Sequence, residues 1–163
     1  MKKQSFLDKI KKEDKLKLVE PSDEMKISYL QKSENCLKSA KILFQNQLYE
    51  NSTSEAYYCI YNSLLSLLFK IGIKSENHSA SIVLFKEIFD KPELTKIISW
   101  AKNERIDKQY YVESHQVIKA TKDSCSEMIK NAENFLVKIK LLIGEINIEQ
   151  ISSIRLNFDK TFE

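Results

Sequence analysis

A chain of 163 residues with 42% hydrophobic and 30% charged side chains fits one domain whose core is large enough to stand without disulfides or metals. Two glycines and two prolines are too few for a fold built on many tight turns, which favours long helices over a sandwich or barrel. The net charge is +3, and residues 1–20 alone carry seven lysines against four acids, so the remainder is neutral and offers no broad basic face for nucleic acid.

No run reaches the ~18 apolar residues of a membrane span, and lysines at positions 2 and 3 followed by further charges break any secretion-type apolar core. The expectation is a cytoplasmic protein with no membrane contact. Cys36, Cys59 and Cys125 are odd in number and widely separated inside helical patterns, as expected of small reduced residues in or near a core. The histidines are His78 and His115, and CxxC and HExxH spacings are absent, so no metal site and no cofactor is expected.

In chain order, residues 1–21 read as a basic arm in which Phe6, Leu7 and Ile10 form one short apolar stripe, ended by Pro21. Such an arm is either a solvated tether or a weak contact for RNA phosphates. Ser22 is a helix cap, with Asp23 and Glu24 at the positive end of the helix dipole, and Ile27, Leu30, Leu37, Ala40 and Phe44 predict a first main helix over about 23–46. Ser52-Thr53-Ser54-Glu55 has capping-box spacing, and Tyr57, Ile60, Leu64, Leu67, Leu68 and Ile71 predict a central core helix stopped by Gly72.

Ile82, Phe85 and Phe89 predict a shorter amphipathic helix over 78–90, and Pro92 then starts another with Leu94, Ile97, Ile98 and Ala101 inward. Ser114 is a candidate cap for a last long helix running from Ile118 through Cys125, Met128, Phe135 and Ile139 to Gly144. In residues 146–163 that period is lost: Ile154, Leu156 and Phe158 alternate as in a strand, with no partner strand, and the segment reads as a tail that docks or exchanges between subunits. Residues 22–145 are thus an all-α, four- to five-helix bundle flanked by an arm and a tail.

Ala56-Tyr57-Tyr58-Cys59-Ile60-Tyr61-Asn62-Ser63-Leu64-Leu65, followed by Leu68, Gly72 and His78, resembles the tyrosine-rich helix, glycine stop and histidine of toxin-like prokaryotic HEPN (higher eukaryotes and prokaryotes nucleotide-binding) proteins. Glu104-Arg105-Ile106-Asp107-Lys108-Gln109-Tyr110-Tyr111 resembles the second landmark of that family, and the likeness spans about residues 22–142. The resemblance implies a helical bundle that dimerises through facing helices. It also implies a toxin–antitoxin or defence setting and, in the catalytic branch, metal-independent RNA cleavage by an arginine and a histidine five to seven positions later. Those slots after Arg105 hold Tyr110, Tyr111 and Val112, and His115 lies ten residues on. In the toxin branch a motif tyrosine can receive AMP from a partner nucleotidyltransferase, and Tyr110 and Tyr111 are the nearest positions.

The residues themselves point to the same stretch. Arg105 is one of two arginines beside twenty-four lysines, and its planar fork suits bidentate phosphate or carboxylate contacts, an acid such as Glu104 or Asp107 included. Gln109 lies one turn later on the same helix face and could share a phosphate with it. Tyrosine, with a pKa near ~10, is a poor base at neutral pH, so Tyr110 fits a proton or hydrogen-bond donor better. His78 holds its loop or approaches the helix that starts at Pro92 in space; His115 is a helix-start residue; Tyr57, Tyr58 and Tyr61 are core or dimer interface. Two functions remain open: a metal-independent ribonuclease acting as a homodimer, and a non-catalytic module that binds a nucleotide or a nucleotidyltransferase.

Overall fold

The computed structural model describes residues 2–110, 112–113, 116–117 and 119–161, with side chains described over 6–106 and 119–158. Among these residues the chain runs α1 (Lys2–Lys12), β1 (Leu16–Leu18), α2 (Asp23–Gln45), α3 (Tyr49–Lys70), β2 (Ile73–Ser75), α4 (His78–Phe89), α5 (Pro92–Tyr110), β3 (Val112–Glu113), β4 (Gln116–Val117), α6 (Lys122–Glu145) and α7 (Ile148–Thr161). It is an all-α bundle; the helices exceed the expected four to five because both flanking segments are helical as well. The two strand pairs are minor and antiparallel, β1 with β2 and β3 with β4.

The bundle is organised around α3, whose apolar residues face every direction: Tyr57, Ile60, Leu64, Leu67 and Leu68 are wholly buried. A helix that is hydrophobic all round must be covered on all sides. The antiparallel α2 lies close against it because small residues line the seam. There Ser33 Oγ donates to Cys59 O at 2.7 Å and Ser52 Oγ donates to Ala40 O at 2.7 Å, so each buried hydroxyl is satisfied across the pair. On another side α6 presents Cys125, Met128, Ala132, Phe135 and Ile139 at three- and four-residue spacing, all with zero exposure. Fully burying a side chain such as Phe135 stabilises the bundle by about 1.5–3 kcal/mol.

The caps show where local signals were followed and where packing overrode them. Ser22 accepts from the Met25 N–H at 3.1 Å and starts α2 where its sequence predicts. Ser52, by contrast, is no cap: α3 begins at Tyr49, and the Ser52 hydroxyl serves the α2 seam and accepts from Cys125 Sγ at 3.0 Å. The expected cap Ser114 lies outside the described residues, and α6 opens later, where Thr121 and Ser124 each accept from the other's backbone N–H in a reciprocal box.

The flanking segments differ from expectation most. Leu7 and Ile10 of α1 and Leu16 of β1 are buried in the main core rather than solvated. The alternation of Ile154, Leu156 and Phe158 does not make a strand: residues 148–161 are helical, with Phe158 buried and Leu156 exposed. Arg155 explains the docking of α7, because its Nη1 donates to Val19 O at 2.6 Å and Gly72 O at 2.9 Å and approaches Ile71 O at 3.4 Å. It thereby ties α7 to the Val19 segment and to the end of α3, where Gly72 turns the chain at φ +74° and its carbonyl also accepts from the Val19 N–H.

These flanks set the position of the next helix. β1 pairs with β2 in the register Leu16↔Ser75, Lys17↔Lys74, Leu18↔Ile73, and the chain leaves β2 directly into the Asn77 cap of α4. The first residue of α4, His78, is therefore fixed from both sides of the Gly72 turn.

Among the described residues no helix is long and apolar enough to cross a membrane, and no group of three or more His, Cys, Asp or Glu is placed to hold a metal. The cysteines are free thiols; burial pushes those of Cys36 and Cys59 up to about 11, which keeps them protonated and unreactive near neutrality.

Candidate functional site

Two of the residues singled out by sequence, His78 and Arg105, lie where α3, the start of α4 and the last half of α5 converge. Tyr57, Tyr58 and Tyr61 lie on α3 at positions i, i+1 and i+4, so Tyr57 and Tyr61 share a face one turn apart while Tyr58 points further towards solvent. The Tyr57 and Tyr61 rings are nearly parallel, with centroids 6.2 Å apart and planes 8° apart. The His78 ring lies on Tyr61 at 3.7 Å and 16°, and the Tyr57 hydroxyl meets His78 Nδ1 at 2.5 Å. Two tyrosines and a histidine thus form one ladder.

Below it the Tyr61 hydroxyl reaches Ser81 Oγ at 3.3 Å, and Ser81 in turn meets Ser75 Oγ at 2.9 Å and Asn77 O at 3.0 Å. This hydroxyl chain joins the ladder to β2 and to the cap of α4, where Asn77 Oδ1 accepts from the Ala80 N–H at 3.0 Å. A satisfied buried network of this kind fixes orientation as well as adding stability.

Arg105 completes the site from α5. Its guanidinium carbon stands 5.3 Å from the Tyr57 ring centre and 5.0 Å from that of Tyr58, and Nη2 donates to the Tyr58 hydroxyl at 3.1 Å. Cation–π contacts of this kind contribute about 0.5–1 kcal/mol each and hold the plane of the group. Its Nε is buried and has no hydrogen-bond partner. Among the described residues no acid pairs with Arg105, and the side chain of Asp107, one of the expected partners, lies outside them. One turn earlier, Lys102 Nζ donates to Ser79 Oγ at 2.5 Å, so a second cation faces the start of α4.

Burial, together with the positive charge of Arg105 and then Lys102, pushes the His78 imidazole down to about 4, so the ring is neutral at pH 7. Burial also raises the Tyr57 and Tyr61 hydroxyls above their ordinary range, which keeps both protonated and able to donate. A neutral folded-state ring has a consequence for stability. Between pH 6.5 and about 4 the unfolded chain binds the His78 proton and the folded chain does not, so this contribution is full above 6.5 and is lost as the pH falls towards 4. Urea unfolding across pH 5–7, where carboxylates stay ionised, is expected to give a positive slope of stability with pH that His78→Gln flattens; equal slopes in the two proteins would contradict the buried neutral ring.

The structure therefore brings Arg105 and His78 together through Tyr57. Gln109 and Tyr110 end α5 by their backbone, but their side chains lie outside the described residues, as do Tyr111 and His115. Sequence reading passed over Tyr57 and Tyr58 as the platform under the guanidinium, and over Lys102 and Ser79 altogether. One signal was available: Tyr57, Tyr58 and Tyr61 place three phenols within one helical turn, more hydroxyl than a purely apolar core needs. Nothing in the spacing of Lys102 distinguished it from the other lysines.

A groove of about 460 Å³ between the start of α5 and the end of α6, lined by Pro92, Leu94, Leu141 and Leu142, lies at the opposite end of α5. Of the charges that line it, Lys138 and Glu93 pair at 3.2 Å, and Lys91 and Glu145 stand beside them.

A family model described as HEPN domain matches residues 28–142. A protein of Methanocaldococcus jannaschii bearing the name "Putative toxin MJ0605" is 30% identical over 119 residues, covering 70% of this chain and 85% of that protein. Two proteins named as UPF0332 are also similar. The one from Archaeoglobus fulgidus is 28% identical over 127 residues, 76% of this chain and 98% of its own length. The one from Thermotoga maritima is 22% identical over 116 residues, 71% and 88%.

Proposed function

The chain belongs to the HEPN domain family, and from that premise we propose that it serves a toxin–antitoxin or defence module by holding the phosphates of RNA or a nucleotide on Arg105. The observation that supports this is the guanidinium itself: propped on two tyrosine rings, without an acid partner among the described residues, and with a buried Nε left unsatisfied. A desolvated donor with no acceptor costs roughly 1–3 kcal/mol, and a phosphate oxygen is the acceptor whose charge and fork geometry match. The similarity to a toxin-named archaeal protein supports the biological setting. In this reading the chain works as a homodimer beside a nucleotidyltransferase, Gln109 adds a second donor, and Tyr110 or Tyr111 is the position offered for AMP attachment.

The second reading is metal-independent RNA cleavage, favoured by the neutral imidazole of His78 in the same cluster as Arg105. In that reaction the 2′-oxygen bonds to the adjacent phosphorus and the bond to the 5′-oxygen breaks. His78 takes the 2′-hydroxyl proton, a donor such as Tyr110 supplies one to the departing oxygen, and Arg105 balances the charge on the phosphoryl oxygens. An imidazole with a pKa about 4, its Nδ1 engaged by Tyr57, is a weak base, and recognition is therefore preferred over cleavage. The test is purified full-length chain with labelled RNA in excess chelator, following anisotropy and strand length together. Binding with intact RNA supports recognition; cyclic-phosphate products support cleavage; no binding of RNA or nucleotide rejects the role given to Arg105.

A further inference from the structure

Lys102 and Arg105 share one face of α5, with Cβ atoms roughly 5–6 Å apart by helix geometry. Their charged heads are nevertheless pinned to different neighbours, Lys102 to Ser79 Oγ on α4 and Arg105 to Tyr57 and Tyr58 on α3. Neither partner is an acid, and among the described residues neither cation makes an ion pair. Two half-buried positive charges one turn apart, with no acid paired to either among the described residues, stand out in a chain where Lys26, Lys70 and Lys74 find a carboxylate. Both lower the His78 pKa, so both face the same imidazole. They also flank the first turn of α4, where the Asn77 side chain caps the Ala80 N–H and the N–H groups of His78 and Ser79 remain at the positive helix end.

We propose that Lys102, held by Ser79, is a second phosphate ligand, so that the site takes two successive phosphates of a single-stranded RNA, one on Arg105 and the next on Lys102. The separate anchors support this: Ser79 on α4 holds the Lys102 head and Tyr57 and Tyr58 on α3 hold that of Arg105, and two phosphates in succession would meet each cation where it stands. Ser79 is a positioning residue, because it aims the Lys102 ammonium and need not touch the ligand. The inference rests on the reading of Arg105 as a phosphate ligand.

The experiment is a protein-observed NMR titration of the full chain with a uridine dinucleotide, which has one internal phosphate, with the trinucleotide, which has two, and with ADP as a non-polymeric diphosphate. The wild-type chain is expected to prefer the trinucleotide to the dinucleotide about tenfold, and Lys102→Gln and Ser79→Ala are expected to bring that ratio near one. With a longer single-stranded RNA, Lys102→Gln should lower the slope of log affinity against log salt by about 0.7, the value of one phosphate contact. Equal affinity of the wild type for the two oligonucleotides, or an unchanged ratio in Lys102→Gln, overturns the second subsite and leaves Arg105 standing. ADP binding as tightly as the trinucleotide overturns the assignment to a strand. No binding of any of the three removes the Arg105 reading and this one with it.

Discussion

Replacing Arg105 with alanine is expected to weaken RNA binding about 30-fold, roughly 2 kcal/mol, while leaving the thermal midpoint within a few degrees of wild type. The two halves of that result have different causes. Affinity falls because charge-assisted hydrogen bonds to a phosphate, worth about 1.5–3 kcal/mol each, go with the guanidinium. Stability holds because the variant loses two modest ring contacts and one hydrogen bond to Tyr58 but also sheds a buried Nε that has no acceptor in the free protein. Arg105→Lys is expected to recover part of the affinity, since a point charge remains but the planar fork does not. Anisotropy titrations beside thermal melts check both; an alanine variant that binds RNA as the wild type does would dispose of the phosphate role.

The largest loss of stability is expected from Gly72→Ala, about 3 kcal/mol or more. At φ +74° a side chain costs roughly 1–2 kcal/mol by itself. An added Cβ would stand 1.9 Å from Arg155 Nη1 and 2.5 Å from Val19 O, so the guanidinium must withdraw, and its donations to Val19 O and Gly72 O go with it. Gly72 O keeps the Val19 N–H at 2.9 Å, but the part-buried Val19 O loses its donor, which adds about 1 kcal/mol or more. Urea midpoints at constant m-value measure the effect. Because the clash and the clamp are the same contact, Arg155→Ala and Gly72→Ala should cost less together than the sum of their separate effects; strict additivity would mean that Arg155 does not close on this turn.

Much of the bundle was legible because it rests on local signals. The Ser22 cap, the apolar face from Tyr57 to Ile71, the Gly72 stop and Pro92 at the start of α5 are written within a few residues of where they act. What was missed depends on distant partners. Ser52 carries the sequence of a cap and is instead recruited by Ala40 O on a neighbouring helix. The Ile154, Leu156, Phe158 alternation suits a strand, but only Phe158 is buried, and Arg155 finds two carbonyls at the end of α3 and that of Val19 after β1, all within reach of a helix. The site divides in the same way. Arg105 stood out by its rarity and His78 by its place after the glycine stop, whereas Lys102 was one of twenty-four lysines and becomes distinctive only when Ser79 is set opposite it.

The pairing of β1 with β2 bears on how the protein can be shortened. The span that matches the family, residues 28–142, leaves out β1, α1 and α7, yet Leu7, Ile10, Leu16 and Phe158 sit in the same core as α3. A fragment trimmed to that span would bare one side of β2 as an open strand edge and leave unfilled hollows beside Ile73, and such edges template sticking between molecules. The recognisable piece made alone would thus clump, and the two short flanks of the polypeptide are what shield the long middle from its own copies.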